Sequence, residues 1–151
     1  MRMAISDFEN DATLLAMLSE SRPMRTTEGH LLGQMGMRDV VDTDERLIIE
    51  MDNRPDLTNI RGALQGGLVA TLIDIAAGRL AEHHVGPDQS VTTADMNVHF
   101  LAPVVVGPAR AEATIVRAGK RLVVTAVDVT DVGRDRLAAR ATLSFAVLDP
   151  R

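Results

Sequence analysis

Apolar positions along the chain switch between a helical period and a period of two, and the switches divide it. Near the N-terminus Ser6 and Glu9 stand three apart as a capping box, and Ala12, Leu14, Leu15 and Leu18 continue as a helical stripe to about Arg22. Residues 33–41 and 46–52 then read as two strands joined by the turn signal DTDE. The turn-rich stretch RPDLTNIRG leads into a central helix from about Gly66 to about His84, which stops before Gly86 and Pro87. Everything after it alternates with a period of two. Four strands are predicted, over 89–101, 108–117, 120–130 and 135–147, with connections too short for crossovers, so the pairing is antiparallel. In the last of them Leu137, Ala139, Ala141, Leu143, Phe145 and Val147 alternate with smaller or polar residues, as in a sheet with one covered face. The one long helix available must cover it. The expected architecture is α+β: a long central helix wrapped by a curved antiparallel sheet, with a short N-terminal helix. Residues 1–29 form the helical lead-in and 30–151 a single domain.

The central helix carries an acid in an unusual place. On a helical wheel, positions 67, 70, 71, 74, 77, 78 and 81 share a face and read Gly, Ala, Thr, Asp, Ala, Gly, Ala. The other faces hold Leu68, Val69, Leu72, Ile73, Ile75, Ala76 and Leu80, so the helix has no solvated stripe before Arg79. Asp74 is therefore expected to be buried or to line a cleft, where desolvation would raise its pKa toward that of a working base. Two other readings stand beside this one. The small face is also what a surface bearing an ordinary charge would show, or what close packing against another helix would need. At the start of the helix, Gly66 and Gly67 offer backbone N–H groups with no intrahelical partner, and the helix dipole behind them suits a developing oxyanion.

Composition removes several chemistries. The chain of 151 residues has no cysteine, which excludes disulfides, thiolate metal sites and a cysteine nucleophile. Its formal charge of −5 argues against general nucleic-acid binding. His30, His83, His84 and His99 lack the spacing of a helical zinc site, so no metal is expected. His83 and His84 read as helix C-terminal residues and His99 as an outward strand residue. No apolar run approaches membrane-spanning length and the N-terminus lacks a secretory core, so no membrane contact and a cytoplasmic home are expected.

Asn59, Gly62, Gln65, Gly66, Gly67, Leu72 and Asp74 together match the pattern N-x-x-G-x-x-[H/Q]-G-G-x-x-x-x-L-x-D. With "TTADMNVHFLAP", the "GKR" hairpin and "AARATLSFAV", the region from about 30 to 148 resembles the hotdog-fold acyl-CoA thioesterases of the PaaI type, the phenylacetyl-CoA and 4-hydroxybenzoyl-CoA thioesterases among them. The resemblance implies hydrolysis of an acyl-CoA to free acid and CoA, with no cofactor beyond the coenzyme A of the substrate. It implies Asp74 as general base or nucleophile and the Gly66 amide as the group that polarises the carbonyl. Asn59 falls on a substrate- or water-positioning residue and Thr92 on a hydroxyl that orients the water. Gln65 stands where most members have His; it donates and accepts hydrogen bonds but does not titrate near neutral pH. Arg117, Lys120 and Arg121 suit the CoA phosphates, or equally a solvated hairpin turn. The alternative function is a non-catalytic acyl-thioester-binding module, and a hotdog dehydratase would need a His that the matching region lacks.

Eight residues separate Gly66 from Asp74, about 12 Å along a helix axis, so one chain cannot easily bring both to one carbonyl. An obligate homodimer with antiparallel helices, or a tetramer made of two such dimers, is the expected assembly.

Overall fold

The computed structural model describes residues 29–150; the capping box and helix expected from Ser6 lie outside them. The elements run α1 Leu31–Gln34, β1 Met37–Asp42, β2 Arg46–Met51, α2 Gly66–Glu82, β3 Ser90–Phe100, β4 Ala109–Ala118, β5 Leu122–Asp131 and β6 Arg136–Leu148, with 3-10 turns at Pro55–Leu57 and Val132–Arg134. One correction concerns the first strand, expected from residue 33. Residues 31–34 instead form a single helical turn, because the His30 ring nitrogen accepts the N–H of Leu32 and caps it. Gly36, at φ +67°, then turns the chain into β1.

The six strands form one antiparallel sheet in the order β1-β2-β4-β5-β6-β3. β2 and β3 are joined through α2, so the helix crosses the covered face and delivers β3 to the far edge beyond β6. Alternation sets which residues meet it. Ala109, Ala111 and Ala113 of β4 are fully buried, and their small side chains let the helix approach the sheet closely. Leu72, Ile73 and Leu80 of α2 are also fully buried, each contributing about 1.5–3 kcal/mol by area removed from water.

The opposite face of the sheet is held in register by charge. Arg38, Glu50 and Arg110 lie directly across β1, β2 and β4, and the buried Glu50 carboxylate accepts from both arginines at 2.7–2.8 Å. A slip by one residue would strand that carboxylate without a partner.

Asp131, at the end of β5, ties down the loop after β3. It is fully buried and accepts the N–H groups of Val105, Val106 and Gly107 at 2.9, 3.2 and 2.7 Å. Burial alone would raise its pKa, but those N–H groups and the charge of Arg134 outweigh it and hold the carboxyl below the usual carboxylate range. The tie is complete at neutral pH and lost only as the pH falls through that lowered value.

No described helix is long and apolar enough to cross a membrane.

Candidate active site

The turn before α2 shows why its sequence contains Asn and Gly three residues apart. Asn59 Oδ1 accepts the N–H of Arg61 at 2.8 Å and of Ala63 at 3.3 Å, while the backbone of Asn59 exchanges bonds with Gly62 and Ala63. Gly62 closes this turn at φ +76°, a conformation that costs other residues about 1–2 kcal/mol. The Asn59 oxygen is thus committed to the turn, and its amide nitrogen is the end left for a ligand. The Leu64 N–H then donates to the Val104 carbonyl at 2.9 Å, which fixes the helix start to the loop that Asp131 holds.

Gln65 is the N-cap of α2. Its carbonyl accepts the N–H groups of Leu68 and Val69 at 3.0 and 3.1 Å, and its side chain makes no capping bond. The N–H groups of Gly66 and Gly67 make no hydrogen bond to any described residue. Gly66 borders a hollow of about 370 Å³ lined also by Asn59, Leu64, Val69, Phe100 and Pro103 among others.

A second hollow, of about 390 Å³, opens further along the helix and contains Asp74, Thr92, Thr93 and Phe145. Here the structure meets one expectation, since Asp74 lines a cleft, and departs from another. In the single chain Asp74 is half-buried, and the helix is not covered all round: Gly67 is exposed and Ala70, Thr71 and Gly78 are half-buried, while Ala77 and Ala81 of the same wheel face belong to the core. The small face is split because α2 meets the sheet along the line of Val69, Leu72, Ile73, Ala76 and Leu80, which takes in its flank. The hydroxyl that meets the acid is that of Thr93, donating to Asp74 Oδ1 at 2.8 Å. Thr92 borders the hollow one register position away, paired with Ala146.

Arg79 lines this hollow too, but both of its terminal nitrogens are engaged by Asp39 and Asp42. Asp74 therefore makes no ion pair among the described residues, and its second oxygen accepts no hydrogen bond from them. His83, the C-cap residue, contacts Asp42 and Asp44, and the His84 ring meets the Asp44 carbonyl, so both histidines fasten the helix end to β1 and the turn after it.

Arg117, Lys120 and Arg121 lie exposed at the β4–β5 turn. Arg38, Arg46, Arg54, Arg79, Arg110 and Arg140 each pair with a carboxylate, whereas these three make no ion pair among the described residues. Leu122 and Thr92 both stand opposite Ala146 of β6, so the basic turn is at the Asp74 end of the sheet, two strands or about 10 Å to the side. No cluster of three His, Asp or Glu side chains among the described residues is arranged to hold a metal.

Gly66 and Asp74 are thus not brought together within one chain. Gly66, Asn59 and Phe100 share one hollow, and Asp74, Thr92 and Thr93 share the other. Thr93, Phe100 and Asp131 were not singled out by motif. A polar residue repeated at adjacent strand positions was the available signal for Thr93, and an aromatic beside the sequence LAP that for Phe100.

Residues 61–138 match the model of the thioesterase superfamily. Acyl-coenzyme A thioesterase 13 of Mus musculus is 34% identical over 99 residues, covering 64% of this chain and 69% of that protein. A Haemophilus influenzae thioesterase has the same fold, with a TM-score of 0.75 at 19% identity over 81% of this chain and 85% of that one. A Bacillus halodurans protein crystallised with CoA aligns with a TM-score of 0.63 at 31% identity, over 67% of this chain and 66% of the other. With more than half of its length matched by the family model, this chain belongs to the thioesterase superfamily and is a thioester hydrolase of the hotdog fold.

Proposed function

We propose that the protein hydrolyses acyl-CoA thioesters at a site shared between two copies of the chain, with Asp74 as the general base or nucleophile. The observation that carries this reading is the state of the Asp74 carboxylate. It sits on a helix that is otherwise uncharged up to Arg79, faces a hollow, has no cation partner among the described residues, and is oriented by one hydroxyl, that of Thr93. The buried side chain of Asp39, by contrast, is paired with Arg79. With Oδ1 held by Thr93, Oδ2 is free to take a proton from water or to attack the carbonyl directly.

The Gly66 N–H, with α2 behind it, would bind the carbonyl oxygen and stabilise the charge that develops there as the tetrahedral intermediate forms. Asn59 lines the same hollow, and its amide nitrogen would hold substrate or water. The thiolate of CoA departs, and the cations at Arg117, Lys120 and Arg121 suit its phosphates. The CoA seen with the Bacillus halodurans relative and the name of the mouse relative support this choice of carrier.

Two features support the shared site. β3 is an edge strand, eleven residues long and exposed through most of its length, so its outer backbone groups are available for pairing. Beside it the small side of α2, from Gly67 through Ala70, Thr71 and Asp74 to Gly78, is only partly covered. Two copies related by a twofold axis would cover both and bring Gly66 of one chain toward Asp74 of the other.

The test is Asp74→Asn. Turnover of an acyl-CoA falls at least about a hundredfold, while the fold and the affinity for a non-hydrolysable thioether analogue are kept. Near-normal turnover in a folded variant would rule out the catalytic role.

A further inference from the structure

The ring of Phe100, the last residue of β3, packs against the start of α2. Its Cε1 and Cζ lie 3.7 and 3.8 Å from the point where a Gly66 Cβ would be, so the ring rests on the first turn of α2 beside the free N–H. The same ring is 57% exposed and forms one wall of the 370 Å³ hollow. Leu64, Val69, Leu101 and Val104 supply further walls; Asn59 is the polar side chain among the described lining residues, and no charged one is present. An apolar ring left half in water, beside an apolar hollow and an unsatisfied amide, gains if a ligand chain covers it.

We propose that Phe100 sets the acyl-group preference of the enzyme and that the hollow takes acyl groups apolar throughout, alkyl or aryl with no ionised substituent. The inference rests on the reading of the Gly66 amide as the carbonyl-binding group. With the carbonyl oxygen at that N–H, the acyl chain leaves along the Phe100 ring into the hollow. A carboxylate at the far end of the acyl group would lose its water and find no cation there.

Two measurements on the intact enzyme test it, each on wild type, Phe100→Ala and Phe100→Trp, with Phe100→Leu standing in if the alanine variant does not fold. The first is kcat/KM for straight-chain acyl-CoAs of increasing length and for succinyl-CoA. The second is the Kd for S-alkyl-CoA thioethers of the same lengths, which bind without reacting. Wild-type affinity rises about fourfold per methylene and then levels off when the hollow is full. Removing the ring moves that plateau to longer chains, enlarging it to Trp moves it to shorter ones, and succinyl-CoA is at least about a hundredfold poorer than butyryl-CoA, as an unpaired buried charge demands. The proposal is overturned if the variants change every chain length by the same factor with the thioether plateau unmoved, or if succinyl-CoA is used as well as butyryl-CoA. If wild type hydrolyses no CoA ester, the catalytic reading fails, and the thioether series still decides the role of Phe100 on its own.

Discussion

The hollow at the start of α2 and the hollow at its middle are similar in size, about 370 and 390 Å³, and opposite in chemistry. The first is apolar, with the unbonded Gly66 N–H at its edge; the second holds a carboxylate, a threonine hydroxyl and charged neighbours. Thioester hydrolysis needs a donor for the carbonyl oxygen and a base or nucleophile across from it. Each hollow has one of these and lacks the other. On the proposed roles of Gly66 and Asp74, a single chain builds both halves and still lacks a complete site.

The sharpest way to break the comparison from the first hollow is Gly66→Pro, which deletes the N–H and little else. Gly66 is the first helical residue, where proline is well tolerated, and Gln65 before it already has ψ 131°, the extended conformation that proline requires of its predecessor. The N–H that is lost has no partner among the described residues, so stability should hold. The expected loss is about 3 kcal/mol of transition-state stabilisation, roughly a hundredfold in kcat, with circular dichroism confirming the helix. Gly66→Ala is the control, since its Cβ would make only ordinary contact with Phe100 and the N–H remains.

A smaller effect sharpens the comparison from the second hollow. Thr93→Val removes the hydrogen bond to Asp74 and lowers kcat about tenfold, the lower range for a bond to a charged group. Thr92→Val, one position along the strand, changes kcat far less. Equal losses in the two variants would mean that the hydroxyl at Asp74 is not the one that matters.

That pair of threonines also shows where the sequence stops being readable. The period-two pattern located β3 to within a residue at each end, and the helix that bears Gly66 and Asp74 was equally plain from its apolar positions. Counting back by twos from the inward-facing Val98 and Phe100 arrives at Thr92, but the register of β3 against β6 shifts between Thr93 and Asp95. The extra residue reverses the alternation and turns Thr93 toward the helix. Single-sequence periodicity carries no trace of such a bulge, because adjacent threonines fit either face. The small face of α2 was legible as a pattern and ambiguous in meaning. Ala77 and Ala81 on it proved to be core, and Asp74 sits half-buried, since which part of a small face is covered depends on how the helix lies across the sheet. Asn59 was legible as part of a motif, whereas the commitment of its oxygen to the turn around Gly62 depends on backbone geometry.

The central claim is that one working site takes its two halves from two chains, and a mixed dimer tests it directly. Asp74→Asn and Asn59→Ala chains are co-expressed with different tags, and the heterodimer is purified through both. One of its sites then has an intact Asn59 and Gly66 from the first chain and an intact Asp74 and Thr93 from the second. The shared-site account predicts that kcat returns to about half of the wild-type value although each parent is nearly inactive, because one of two equivalent sites is whole. A folded heterodimer as inactive as its parents would contradict it.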